Sequence, residues 1–273
     1  METPATQLAD ELTRAYAERQ CIAVPSGRGS GFDLAEAYAV EDELRRRHVA
    51  GGRTVVGCKV GYANKAMWRA LKLDTLVWAH MYDHTVSHAV AGRASLSLGA
   101  MVSPKIEPEI VMKLSSAIPD GTRDAAAVLG CVEWIALGFE IIDCVYADWK
   151  FQPADFVASY GLHAALVVGE PLSVTPAGIP TLVEALAAFT VSLRKGGEVV
   201  AEGAGRNSLR SPALCLAELA AARTRQPGTA PLAAGDLISS GTLTESQPIG
   251  GGEQWSAEVA GLDLRPLTLD LVP

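Results

Sequence analysis

Apolar and polar positions along the chain change period several times, and each change marks an element. Residues 5 to 20 place Leu8, Leu12, Ala15 and Tyr16 at helical spacing, which predicts an amphipathic amino-terminal helix. Asp33 opens a second helix, DLAEAYAVEDELRRRHVAGG, whose basic last turn and closing glycine pair suit the negative end of a helix dipole. TVVGCKVGY then reads as a strand of small and β-branched residues with one charge, Lys59, in its middle. Asn64 opens a short helix, NKAMWRALKL. In SPKIEPEIVMKL, Ile106, Ile110 and Met112 alternate with polar positions, so this is a strand, and Glu107 and Glu109 share one face roughly 7 Å apart. The stretch from Asp124 to Gly138 has a cap at one end and a glycine at the other, which predicts one helix delivering the chain into a strand around Glu140. A loop, a short helix and a strand follow in DWKFQPADFVASYGLHAALVVGEP, and from there the pattern is mostly β. A hairpin turns at Lys195-Gly196-Gly197, Ser211-Pro212 starts a helix, and GDLISSGTLTESQPI and EQWSAEVAGLDLRPLTLDLV supply further strands. No repeat or low-complexity linker intervenes. A helical region, residues 1–53, therefore leads into a β-rich body, residues 54–273, which we read as one compact unit.

Composition narrows the class. With 273 residues, 49% apolar and 20% charged, the chain can bury a sizeable core. Its net charge of −8, with no basic cluster interleaved with aromatics, argues against a nucleic-acid partner. An anionic small molecule stays possible, because the field of a site can oppose the overall charge. Cys21, Cys58, Cys131, Cys144 and Cys215 are odd in number and show neither zinc nor disulfide spacing. The amino end is amphipathic and acidic, unlike a signal peptide, and no apolar run approaches the roughly 20 residues of a membrane helix. The expectation is a cytoplasmic protein with no membrane partner.

Several groups carry candidate chemistry. Glu107, Glu109 and Glu140 lie within apolar segments, where one unpaired carboxylate costs several kcal/mol. An oxygen-only set of this kind suits magnesium or manganese; the alternative is a solvated edge for the first two and an arginine partner for the third. Lys59 either snorkels to the surface or faces a cleft with a carboxylate partner, where burial could fit it for proton transfer. The run SGRGSG lacks both the phosphate-loop lysine and the dinucleotide spacing, so it is a loop from which Arg28 could reach a substrate carboxylate. His80, Asp83, His84 and His88 could ligate zinc by spacing, but no ordered ligand set accompanies them, and a wet loop is the simpler reading. Ser159 lacks the GxSxG setting of an activated nucleophile. Gly241 and Thr242, in SSGTLT, either bind a carboxylate through backbone and hydroxyl donors or form a plain turn.

GCKVGY, PKIEPEI, FEIIDCVYADWKF, GLHAALVVGEP and GDLISSGTLT, in that order, resemble the 2-keto-4-pentenoate hydratase and 4-oxalocrotonate decarboxylase family. That family belongs to the fumarylacetoacetate hydrolase fold superfamily, and the likeness runs from about residue 34 onward. It implies an α+β fold: a mixed, β-rich carboxyl-terminal body with a helical amino-terminal part. It also implies Mg2+ or Mn2+ on Glu107, Glu109 and Glu140, with Lys59 as the strand lysine and Thr242 as the carboxylate-binding hydroxyl. Gly241, Lys150 and Asp83 join Thr242 as expected substrate contacts. The implied activity is hydration of a 2-hydroxy-2,4-dienoate (a 2-oxo-4-enoate) in aromatic meta-cleavage catabolism, through a metal-stabilised enolate. Decarboxylation of 4-oxalocrotonate and C–C hydrolysis of an acylpyruvate or 1,3-diketone use the same electron sink. Many of the hydratases carry an Asp-Asn pair where this chain has Ser159-Tyr160, which hands proton transfer to Lys59, His163 or Tyr160. The expected partner is a small-molecule 2-oxo acid and the expected assembly a homo-oligomer. A scaffold protein that kept the fold and lost the chemistry is the contrasting reading, against which the retained glutamates and Lys59 argue.

Overall fold

The computed structural model describes residues 3–29 and 31–273; Met1, Glu2 and Ser30, the last within the glycine-rich run, lie outside them. The first helix, Pro4–Glu18, starts where the Thr3 side chain accepts from the Thr6 N–H. The second, Leu34–Ala50, starts in a reciprocal capping box of Asp33 and Glu36. Leu12, Val40 and Leu44 are buried beneath the pair. Polar contacts then tie the pair to the body. Glu41 accepts from the His80 N–H at 3.0 Å and meets its Nδ1 at 2.7 Å, and the Tyr38 hydroxyl accepts from the Trp78 N–H at 3.2 Å.

The body holds two sheets. The nine-stranded sheet runs, edge to edge, Val77–Tyr82, Val55–Gly61, Leu237–Ser239, Lys105–Leu114, Val132–Ile142, His163–Val168 and Val86–His88, with two short strands pairing off this path. The five-stranded sheet contains the expected hairpin, Thr190–Lys195 and Glu198–Ala204, turning at Gly196-Gly197. With helices against mixed sheets, the architecture is α+β.

The segment from Asp124 to Gly138 corrects the sequence expectation. Asp124 does cap a helix, but that helix ends at Leu129, and Val132–Ile142 is a strand. Nearly every residue of that strand from Ile135 on is buried, so its apolar run is continuous and carries no strand period to read. Its antiparallel register sets Glu140 opposite Glu107 and Gly138 opposite Glu109. The third glutamate therefore arrives from the neighbouring strand.

The two faces of this sheet divide the work. Ile106, Ile110, Met112, Phe139 and Ile141 are fully buried in the main core, each contributing about 1.5–3 kcal/mol. On the glutamate face a smaller cluster, Met81, Val111, Ala136, Leu166 and Val168, forms an apolar floor beside the carboxylates. Asp143, just beyond the Val132–Ile142 strand, receives backbone N–H groups from Val102 at 2.9 Å, Ser103 at 2.6 Å and Cys144 at 3.0 Å, and so fixes the chain where it enters the glutamate strand. Asp143→Ala leaves three backbone donors without this acceptor, of which the Cys144 N–H is buried, that of Val102 lies on a partly buried residue and that of Ser103 on an exposed one. It should lower stability by about 1–3 kcal/mol, read as a lower urea midpoint at unchanged slope.

Candidate active site

The register of the Lys105–Leu114 and Val132–Ile142 strands brings ligand atoms of Glu107, Glu109 and Glu140 within 4.8 Å of one another. Among the described residues this is the one group of three or more His, Cys, Asp or Glu side chains so arranged. Each of the two deeper carboxylates is held from behind. Glu109 Oε2 accepts from Ser239 Oγ at 2.5 Å and from the Gly241 N–H at 2.8 Å. Glu140 Oε1 lies 2.8 Å from His163 Nδ1, whose ring meets Thr85 Oγ1 through Nε2 at 2.9 Å. Glu140 Oε2 makes a 3.1 Å ion-pair contact with the Lys59 ammonium, which donates to Gly161 O at 2.9 Å and lies 4.6 Å from the Phe156 ring centre.

Two glycines make this geometry possible. Gly161 (φ +60) would, with a side chain, press on Ala79 at 2.8 Å and on Lys59 Cδ at 3.0 Å. Gly241 (φ +88) would press on the Ala63 side chain at 2.7 Å, displacing the N–H that serves Glu109.

The electrostatics follow from crowding. Burial raises the Glu107 carboxyl from its ordinary 4.5 to about 7, against the pull of Lys59. Burial, with Glu140 and Glu107 adding to it, holds Glu109 well above the carboxylate range. Burial also works against ionised Glu140, but the Lys59 charge and the His163 hydrogen bond more than offset it and keep Glu140 below its ordinary value. Glu109 Oε1 and Glu140 Oε2 are buried and accept no aligned hydrogen bond. Buried oxygens left over in a cluster of three carboxylates are what a hard divalent cation satisfies, so the residues fit magnesium or manganese.

A pH dependence follows. Between about pH 4.5 and 7 the metal-free folded state binds a proton at Glu107 that the unfolded chain has released, so its stability falls as pH rises through that window. Glu109 extends the fall above it, whereas Glu140, with its lowered value, loses its stabilising effect only below the ordinary range. Magnesium should therefore raise the melting temperature more at about pH 8 than at about pH 5.5, which thermal melts with and without the ion will show.

Glu107, the outermost of the three carboxylates, opens into a cavity of about 560 Å³ lined also by Lys59, Gly241 and Thr242 together with Tyr62, Phe156 and other apolar side chains. Of the residues singled out from sequence, the fold thus gathers Lys59, the three glutamates, Gly241 and Thr242. His163 stands behind Glu140 with its side chain buried, so it positions a carboxylate and does not face the cavity. Tyr160 turns toward the amino-terminal helices, its ring edge-on to Tyr16 and His48 and its hydroxyl 3.4 Å from Thr13. It therefore does not line the cavity in which a proton-transfer role was expected of it, and its backbone is left-handed (φ +57). Lys150 is exposed and paired with Asp148 at 3.1 Å, and Asp83 is exposed and caps its own short turn through the His84 N–H. Neither lines the cavity. Arg28 is held by Glu11 and by Ala23 O. His80 sits on a strand against Glu41, so the zinc alternative has no site there. Ser239 and Thr85 were missed. Ser239 lay in view within SSGTLT, but the pattern marks no face for it; Thr85 carries no local signal at all.

Comparison with known proteins places these features in context. The model of the family described as Fumarylacetoacetate (FAA) hydrolase C-terminal matches residues 59–265. A 2-hydroxypent-2,4-dienoate hydratase from Pseudomonas putida is 27% identical over 219 residues, covering 80% of this chain and 95% of its own. A 4-oxalocrotonate decarboxylase from Pseudomonas sp. (strain CF600) is 28% identical, covering 93% of this chain and 92% of its own. Among solved structures, 4-oxalocrotonate decarboxylase from Pseudomonas putida G7, complexed with magnesium and adipate, superposes with a TM-score of 0.87 at 25% identity, covering 100% of this chain and 99% of that one.

Proposed function

The chain belongs to the fumarylacetoacetate hydrolase family, and from that premise we propose that it is a divalent-metal-dependent hydratase acting on a 2-hydroxy-2,4-dienoate, or its 2-oxo-4-enoate tautomer. The observation that carries this reading is the cluster of Glu107, Glu109 and Glu140, with the buried Glu109 Oε1 left without a partner, beside a cavity lined by Glu107 and Lys59. The hydratases among its relatives supply the reaction class. No helix among the described residues is long and apolar enough to cross a membrane.

The three glutamates would hold Mg2+ or Mn2+, and such an ion, when bound, supplies a Lewis acid for the 2-oxo group of the substrate. The chain's own residues do the rest. Lys59 is buried, fixed between Glu140 and Gly161, and lines the cavity, so it can pair with the substrate carboxylate or carry the proton that moves at C3. His163 and Thr85 hold Glu140 in one orientation. Thr242 lines the same cavity with its hydroxyl turned to Thr244 O at 2.9 Å, and a rotation of that hydroxyl would present it to a substrate carboxylate. Phe156 and Leu162 exclude water from the lysine side.

A second reading, decarboxylation of 4-oxalocrotonate, is favoured by the whole-length superposition on a decarboxylase. One panel separates the readings. Purified protein with magnesium is offered 2-hydroxypenta-2,4-dienoate, 4-oxalocrotonate and an acylpyruvate. We expect consumption of the dienoate with formation of a 4-hydroxy-2-oxo acid. Carbon dioxide as the only fast product would make it a decarboxylase, and cleavage of the acylpyruvate alone a C–C hydrolase.

A further inference from the structure

Beyond the carboxylates, the walls of the cavity are formed by Tyr62, Met67, Trp149, Phe151, Phe156 and Leu243. Its charged lining is sparse. Lys59 is engaged by Glu140, Glu107 belongs to the acid cluster, and Glu245 is exposed with its carboxylate in no ion pair among the described residues. A second carboxylate on a substrate would meet apolar rings and the Glu245 charge, with no cation besides Lys59 among the described residues that line the cavity. Lys105, on the glutamate strand, does not line the cavity; its ammonium is held 4.0 Å from the centre of the Trp149 ring. Lys65, Arg206 and Arg210 line a neighbouring depression that shares Ala63, Asn64 and Asn207 with the cavity.

Two of the aromatic walls stand on strained backbone. Trp149 (φ +56) and Tyr62 (φ +58) are both left-handed, as is Asp148 (φ +57). Residues with side chains rarely hold that conformation unless their surroundings fix it, and such residues gather at functional sites. Both are pinned: Trp149 Nε1 donates to Ser103 Oγ at 2.9 Å, and Tyr62 O accepts from Trp68 Nε1 at 2.7 Å. The apolar wall is thus built in advance of any ligand. At about 560 Å³ the cavity also falls within the range of drug-sized ligand sites, so an unsubstituted five-carbon acid would leave much of it to water.

We propose that the cavity takes a 2-oxo acid whose tail is uncharged, apolar and larger than a vinyl group, of alkyl or phenyl type, seated against Tyr62, Phe156 and Trp149. The inference rests on the glutamate cluster as the seat of the acid head, as in the proposed function.

The test uses four 2-hydroxy-2,4-dienoates that differ only in the tail at the distal carbon: hydrogen, propyl, phenyl and carboxylate. With magnesium, kcat/KM for the propyl or phenyl compound should exceed that for the carboxylate by about 10²-fold or more. Trp149→Ala should narrow that ratio by about 10-fold. In parallel, calorimetry on the saturated 2-oxo acids with the same tails reads binding without turnover, and the apolar tails should bind at least about 10-fold tighter than the carboxylate. Absence of hydration with this binding order intact removes the hydratase reading and leaves the tail assignment standing. Equal or tighter binding of the carboxylate tail overturns the tail assignment whatever the turnover.

Discussion

Glu140→Gln is expected to lower turnover by roughly 10³-fold or more and to abolish stoichiometric binding of magnesium. Glu140 is the one member of the cluster held by two basic side chains. Its carboxylate is fully buried, meets Lys59 through Oε2, meets His163 through Oε1, and stands opposite Glu107 in the strand register. Glutamine keeps the volume but removes the charge that compensates the Lys59 ammonium. It also turns an amide NH2 either toward Lys59, a donor facing a donor, or toward His163, whose ring must then accept through Nδ1. A buried ammonium left without its counter-charge costs about 3–5 kcal/mol, so part of the loss should appear as lower stability. Glu107→Gln, at the half-buried member of the cluster, should lose metal affinity with a smaller loss of stability. Measuring turnover, calorimetric metal binding and urea unfolding on both variants separates these terms. Full activity in wild-type protein stripped of metal by a chelator would end this account.

Lys59→Met should lower kcat by roughly 10²-fold or more while leaving metal binding in place. Methionine retains most of the apolar stem that packs near Phe156, but it deletes the ammonium between Glu140 Oε2 and Gly161 O. Lys59 is the one cation among the described residues that line the cavity, so the change also removes that positive side chain from reach of a substrate carboxylate. If Lys59 only binds that carboxylate, KM rises and kcat holds; if it carries the proton, kcat falls with KM little changed. Unchanged steady-state constants would make Lys59 a structural partner of Glu140 and nothing more.

The legibility of this fold varied with how local its causes are. Capping at Asp33, the Gly196-Gly197 turn and the Lys59 strand were all readable because neighbouring residues determine them. The Val132–Ile142 strand was not, because a strand covered on both faces loses the alternation that would distinguish it from a helix. Even so, the three glutamates were found, since acidic residues in apolar segments signal themselves whichever element holds them. Their true relation, Glu140 across from Glu107, is a property of strand pairing that no local pattern contains. Orientation was harder still. His163 was expected in the pocket and stands behind Glu140; Tyr160 was expected beside it and packs on the amino-terminal helices. Both sit where the chain kinks through left-handed residues, Tyr160 (φ +57), Gly161 (φ +60) and Leu162 (φ +58), and one such residue redirects every side chain near it. Trp149, the wall residue on which the tail inference turns, escaped notice for the same reason.

The claim on which everything else depends is that Glu107, Glu109 and Glu140 form a site for one hard divalent ion. Anomalous diffraction from crystals soaked in manganese measures this directly. The account predicts a single strong peak within coordination distance of all three carboxylates, and its loss in Glu140→Gln crystals soaked in the same way. A wild-type crystal with no peak among the three glutamates, or with manganese bound instead beside His80 or His84, would contradict it.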